Sequence, residues 1–128
     1  MHDKPIEILV VEDDDMLRKV MLLQLRLAGI PARSSSTGEH ALLLIEECVP
    51  SLIILDVGLP NMSGFDLVEQ LRLKPATENL PLIVHTSLEL SDVDRKRMTL
   101  GPTKIVTKAT AFSDELPKLI HGLTGASK

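Results

Sequence analysis

The stretch "SLIILDVGLPNMSG" (51–64) decides how the chain is read: four apolar residues, Leu52 to Leu55, run straight into Asp56 and then into a loop punctuated by Gly58, Pro60 and Gly64. An apolar run without polar alternation is what a strand covered by helices on both faces requires. A carboxylate at the end of such a strand needs a reason. Outward from it lie further short apolar runs, "IEILVV" (6–11), "LPLIVHT" (80–86) and "TKIVTK" (103–108). "PARSS" (31–35) is the remaining strand candidate, and its polarity and Pro31 suit a sheet edge.

Helical patterns separate these runs. Residues 14–28 put Leu17, Val20, Met21, Leu25 and Ala28 on one face, with Gly29 as a stop. "STGEHALLLIEEC" (36–48) opens with Ser36 and Glu39 at capping-box spacing, and "GFDLVEQLRL" (64–73) ends before Lys74 and Pro75. Ser91 with Asp94 opens a segment reaching Leu100, and Ser113 caps another carrying Leu116, Leu119, Ile120 and Leu123, with Pro117 tolerated in its first turn. The alternation predicts an α/β fold of (βα)5 type, a doubly wound five-stranded parallel sheet. In such sheets ligands bind beyond the carboxyl ends of the strands.

Composition narrows the function classes. A chain of 128 residues, 44% hydrophobic, buries roughly two-thirds of its unfolded surface around one core. A net charge of −4 with Lys and Arg scattered along the chain offers no basic face for a polyanion, so direct nucleic-acid binding is not expected. The single Cys48 allows no internal disulfide, agrees with a reducing compartment and reads as core filler. No apolar run approaches the ~18 residues of a membrane span, and the charged start "MHDKPIE" is no signal peptide. A cytoplasmic location is expected.

At the carboxyl ends of the strand candidates stand "VVEDDD" (10–15), Asp56, then Thr86 and Ser87, then Lys108. Glu12, Asp13 and Asp56 would converge in one crevice, where like charges ~4 Å apart repel by about 4 kcal/mol per pair at an effective dielectric of ~20. A cation must offset this. Mg2+ is the natural candidate, because it takes one or two carboxylates, keeps several waters and is completed by phosphate oxygens. With a Lys108 ammonium and a Thr86 hydroxyl, these are the parts for phosphoryl transfer, with Asp56 as nucleophile by position. Singly, each residue has an ordinary reading as turn former, strand residue or solvated charge. Their joint placement at four strand ends is what argues for function. Asp14 and Asp15 read as the start of a helix, and His85 as a satisfied core or helix-facing histidine. There is no glycine-rich phosphate loop and no G-x-S-x-G elbow.

The combination of "ILVVEDD" (8–14), "LIILDVGLPNMSGFDL" (52–67), "PLIVHTS" (81–87) and "IVTK" (105–108) resembles the receiver domain of two-component response regulators, over essentially the whole chain. The resemblance implies a flavodoxin-like sheet in the order 2-1-3-4-5. It implies that Asp56 accepts a phosphoryl group from a phosphohistidine on a histidine kinase or a histidine phosphotransfer protein. Asp13, Asp56 and the backbone carbonyl of Gly58 would hold Mg2+ (or Mn2+), and Glu12 would act through a metal-bound water. Thr86 and Lys108 would hold the phosphoryl oxygens and pass their presence to the face of the fourth helix, fifth strand and last helix, for a downstream protein partner. Such a protein catalyses its own phosphorylation and is not a turnover enzyme. The alternative is a receiver-like binding module that never carries phosphate. Phosphohydrolases with an aspartyl nucleophile commonly carry a second Asp two residues later, where this chain has Gly58.

Residues 1–128 read as a single receiver domain, core about 6–123, without an output domain after "GLTGASK". The chain departs from the family at Ala109, where proline usually follows the lysine, and at Ile105, often an aromatic switch residue. The family's lysine–proline peptide is typically cis; a non-proline cis bond costs about 2.5–4 kcal/mol, so Lys108–Ala109 is expected trans with "ATAF" (109–112) rerouted. Gly58 and Leu88 occupy positions where the family tunes aspartyl-phosphate lifetime. On the first helix, Met16, Leu23 and Leu27 fall on a second apolar strip flanked by Arg18, Lys19 and Arg26. That strip is expected to be partly exposed and to form a binding patch, and the resemblance implies that it receives the phosphodonor's helical bundle.

Overall fold

Ile8–Val11 (β1), Leu52–Asp56 (β3) and Leu82–Thr86 (β4) form the middle of a parallel sheet and are buried along their whole length. Ala32–Ser35 (β2) and Thr103–Thr107 (β5), the two polar strands, take its edges, giving the order β2-β1-β3-β4-β5. The computed structural model describes residues 6–87, 89–111 and 113–125, so Leu88 and the Phe112 end of "ATAF" lie outside the described residues. The helices are Asp15–Leu27 (α1), Gly38–Glu47 (α2), Gly64–Arg72 (α3), Asp92–Arg97 (α4), Lys108–Ala111 (α5) and Glu115–Thr124 (α6). The observed sheet is the doubly wound one expected, with winding reversing between β1 and β3. Among the described residues no helix is long and apolar enough to cross a membrane.

The period of two along each strand divides the core. Leu9, Val11, Ile53, Leu55, Leu82 and Val84 face α2 and α3, where Ala41, Ile45, Leu67, Val68 and Leu71 meet them. Ile8, Val10, Leu52, Ile54 and Ile83 face α1 and α6, against Leu17, Met21, Leu25, Leu116 and Ile120. The register pairs Val11 with Leu55, Leu55 with Val84 and Asp56 with His85. Extending the alternation by one step puts residues 12, 56 and 85 on the α1/α6 side, at the carboxyl end of the sheet. The fold thus aligns Glu12, Asp56 and His85 through parity alone.

Helix ends follow local chemistry, with some corrections to the sequence reading. Asp14 caps α1 by accepting the Leu17 N–H at 3.0 Å. The helix stops in a Schellman turn: the Gly29 N–H (φ 74°) donates to the Arg26 carbonyl at 3.0 Å and the Ile30 N–H to the Leu25 carbonyl at 2.9 Å. Ala28 is therefore an exposed cap rather than part of the core face. The cap of α2 is Thr37, not Ser36, because the Ser35 hydroxyl engages both the N–H and the carbonyl of Thr37 and turns the chain one residue later. A capping box does occur, on α3, between Ser63 and Asp66. α4 ends at Arg97, short of Leu100, since Met98 turns into the core with no exposed surface. Asp114, not Ser113, stands at the cap position of α6, although the Ser113 hydroxyl still accepts the Glu115 N–H at 3.1 Å. Cys48 is exposed at the end of α2, so it fills no core.

Candidate functional site

The carboxyl ends of β1, β3, β4 and β5 open into one crevice of about 370 Å³, lined by Glu12, Asp13, Asp14, Asp56, Val57, Gly58, Thr86, Ser87 and Lys108. Every residue singled out at a strand end is in this lining. A cavity of about 420 Å³ lies elsewhere, between the end of α1 and β2, but Arg26 is its one charged lining residue. It brings together no set of reactive groups, so the crevice is the candidate site.

Asp56 is the last residue of β3 and 6% exposed. One carboxylate oxygen, Oδ1, accepts the Gly58 N–H at 3.1 Å, which orients the group; the other, Oδ2, lies 3.9 Å from Lys108 Nζ. Lys108 follows β5 directly and opens the one-turn helix α5, an element the strand-like reading of "TKIVTK" did not anticipate. There are no cis peptide bonds among the described residues, so Lys108–Ala109 is trans as expected, and the amine reaches the crevice without the family's proline. Thr86 ends β4 and is buried, while Asp13 is exposed at the mouth. Ile105 is half-buried beside a cavity of about 300 Å³ that includes Thr86, Leu90 and Arg95.

Glu12 is fully buried. Its Oε2 accepts the Asp14 N–H at 2.9 Å, and its carbonyl accepts from the Arg18 guanidinium at 2.9 Å. Arg18, which also pairs with Asp15, is thus committed to the β1–α1 loop and is not part of a free basic rim. His85 is fully buried too, and its Nε2 stands 3.2 Å from Glu12 Oε1. The contact lacks hydrogen-bond geometry: Glu12 Oε1 and both ring nitrogens of His85 have no hydrogen-bond partner. Nor is it an ion pair. Burial pushes the Glu12 carboxyl up to about 8, against the pull of the Asp14 N–H and with help from the Asp56 charge. Burial likewise pushes the His85 imidazole down to about 4. Near neutrality both groups are uncharged.

His85 is the site residue that sequence reasoning missed. The signal was available: in a parallel sheet the residue before Thr86 shares the face of Asp56, so its imidazole belongs to the acid cluster rather than to the ordinary core. One donor atom each from Glu12, Asp56 and His85 lies within 4.8 Å of the others. Leaving such buried polar atoms unpaired costs about 1–3 kcal/mol each, and a divalent cation is the group whose chemistry would satisfy them. The same crevice presents the Asp56 carboxylate, the Thr86 hydroxyl and the Lys108 ammonium.

A profile of the response regulator receiver domain matches residues 8–121. Transcriptional regulatory protein AfsQ1 of Streptomyces coelicolor is 37% identical over 87 residues, 68% of this chain and 37% of that protein. The chain spans about a third to a half of the length of the transcriptional regulators it matches. The receiver domain of a signal transduction histidine kinase from Syntrophus aciditrophicus superposes with a TM-score of 0.80 at 28% identity, covering 95% of this chain and 92% of its own. A receiver domain of a Pseudomonas aeruginosa sensor histidine kinase, solved with magnesium in its active site cleft, is similar in fold, with a TM-score of 0.82 at 24% identity over 95% of this chain and 99% of its own.

Proposed function

Because the chain belongs to the response regulator receiver family, we propose that it is a phosphoacceptor, taking a phosphoryl group from the phosphohistidine of a kinase or phosphotransfer protein onto Asp56. The observation that carries this reading is the juxtaposition of Asp56 with Lys108, 3.9 Å apart, in a crevice shared with Thr86 and three further acids. A carboxylate oxygen of Asp56 forms the new O–P bond as the P–N bond to the donor imidazole breaks, and the imidazole nitrogen leaves with the electron pair. The Gly58 N–H holds the attacking carboxylate in its rotamer. The Lys108 ammonium and the Thr86 hydroxyl would hold the equatorial oxygens of the transferring group.

Mg2+ fits the donor set, since facing carboxylates and the unpartnered Glu12 Oε1 both call for a cation. Asp13, Asp56 and the Gly58 carbonyl would hold it, with Glu12 acting through a bound water. When bound, the ion neutralises charge on the phosphoryl oxygens. Transfer ends on the chain's own side chain, so we read it as a signalling protein of the cytoplasm and not as a turnover enzyme. Met16, Leu23 and Leu27, at 72%, 53% and 78% exposure, form the surface on which the donor bundle would dock.

The test is incubation with a small acyl phosphate and Mg2+, read by intact mass. One phosphoryl adduct is expected, dependent on the divalent ion and absent in Asp56→Asn. If neither the acyl phosphate nor a candidate phosphohistidine protein yields an adduct, the chain is a binding module instead.

A further inference from the structure

His85 has no part in the phosphoryl transfer just described and does not line the crevice, yet the fold buries it directly behind Glu12 and Asp56, which do. It pairs in register with Asp56, sits on the face covered by α1 and α6, and is fully enclosed. Its Nε2 lies 3.2 Å from Glu12 Oε1 without hydrogen-bond geometry, and neither that oxygen nor either ring nitrogen has a hydrogen-bond partner. With no hydrogen bond on Nδ1 to fix the tautomer, Nε2 is available to offer its lone pair. Together, Glu12, Asp56 and His85 each present one donor atom within 4.8 Å of the others. Donors on one ion with bonds of ~2.1 Å lie at most about 4.2 Å apart, so a small inward movement converts the trio into a ligand set.

We propose that His85 Nε2, with the carboxylates of Glu12 and Asp56, forms an inner metal position that makes this site favour divalent ions accepting a nitrogen ligand, Mn2+, Co2+ or Zn2+, over Mg2+. The proposal rests on the reading of the crevice as a metal-dependent phosphoacceptor and assigns that site its ion preference. An all-oxygen crevice suits Mg2+, whereas an imidazole ligand favours first-row transition ions, least of all Mn2+ and more strongly Co2+ and Zn2+. With the Glu12 proton displaced on metal binding, two carboxylates and a neutral imidazole balance a double positive charge, as an interior site demands.

The direct test uses the unaltered protein. With Mn2+ bound, electron spin-echo modulation should show a directly coordinated imidazole nitrogen, and the signal should vanish when Mg2+ in excess displaces the ion. By calorimetry, His85→Leu should weaken Co2+ and Zn2+ binding ~10- to 100-fold while changing Mg2+ affinity less than about 3-fold. His85→Gln, which keeps a polar group of similar reach, guards against a folding defect in the leucine variant and should lose the nitrogen signal as well. If Mn2+ binds in an Asp56-dependent way without nitrogen modulation, the inference falls and the phosphoacceptor reading stands. If no divalent ion binds at a site sensitive to Asp56→Asn, both fall.

Discussion

Gly64 lies so close under Asp56 that a Cβ at position 64 would stand 2.8 Å from the Asp56 carbonyl oxygen and 3.0 Å from Val57 Cα. Its own N–H donates to the Val57 carbonyl at 3.1 Å, closing the loop that leaves β3 onto the start of α3. Both near atoms are backbone, so no rotamer change relieves the contact. Gly64→Ala should therefore destabilise the fold by about 1–3 kcal/mol and slow phosphorylation of Asp56 by an acyl phosphate, because the displaced backbone carries the acceptor. Urea unfolding and intact-mass time courses measure the two effects; an unchanged rate would mean that the loop is not held by this contact.

The buried Glu12–His85 pair makes stability depend on pH in a particular window. Glu12 titrates near 8 in the folded chain against an ordinary 4.5, so between those values the folded state binds more protons than the unfolded one, and stability falls as pH rises. His85 titrates near 4 against an ordinary 6.5, so between 4 and 6.5 the sign is reversed. The two slopes offset one another up to about 6.5, leaving a net loss of stability from there to about 8. Unfolding in chelator at pH 6.5 and at pH 8 should show this loss, and Glu12→Gln should remove it. A wild-type slope equal to that of Glu12→Gln would refute the assignment.

The apolar strip on α1 offers a separation of docking from folding. Leu23 and Leu27 are 53% and 78% exposed, whereas Leu25 between them is fully buried. Leu23→Asp and Leu27→Asp should change unfolding free energy by no more than about 0.5 kcal/mol, as surface substitutions do. Transfer from the cognate phosphohistidine donor should slow severely while labelling by an acyl phosphate stays unchanged. Equal loss with both donors would show that these leucines support the site itself.

Helix capping gives a check on α2 and α3. Thr37→Ala and Ser63→Ala each remove a side-chain acceptor for a backbone N–H at a helix start, and each should cost about 1 kcal/mol. Ser36→Ala, one residue before the true cap of α2, should be neutral in thermal or urea unfolding. A cost at Ser36 equal to that at Thr37 would contradict the observed helix start.

Element order, the doubly wound parallel sheet and the crevice were legible in the sequence because each rests on a strong local signal, whereas the strand order followed only from the family resemblance. "LIILD" is apolar throughout and ends in a carboxylate, and four such ends can meet only at one edge of a parallel sheet. What escaped depends on side chains reaching across the chain. Arg18 looked like surface charge, yet its guanidinium stretches back to the Glu12 carbonyl. His85 looked like a core residue, and only register with Asp56 reveals its companions. Cys48 follows an apolar helix and reads as buried, yet it is the extended residue that ends α2 and lies exposed, beyond the reach of the helix's apolar periodicity. The one-turn helix at Lys108 has no periodicity long enough to detect.

The sheet's edges and centre also differ in how readily they open. β3 is flanked on both sides and buried throughout, whereas β5 is an edge strand, only partly covered, running into a single helical turn. Backbone amides of β3 should exchange with solvent only through global unfolding, and those of β5 through local opening of much lower free energy. Asp56 is thus anchored to the part of the molecule expected to yield last and Lys108 to a part expected to yield early. Hydrogen exchange at residues 103–111 should therefore be the sensitive reporter of whether Lys108 is engaged with Asp56.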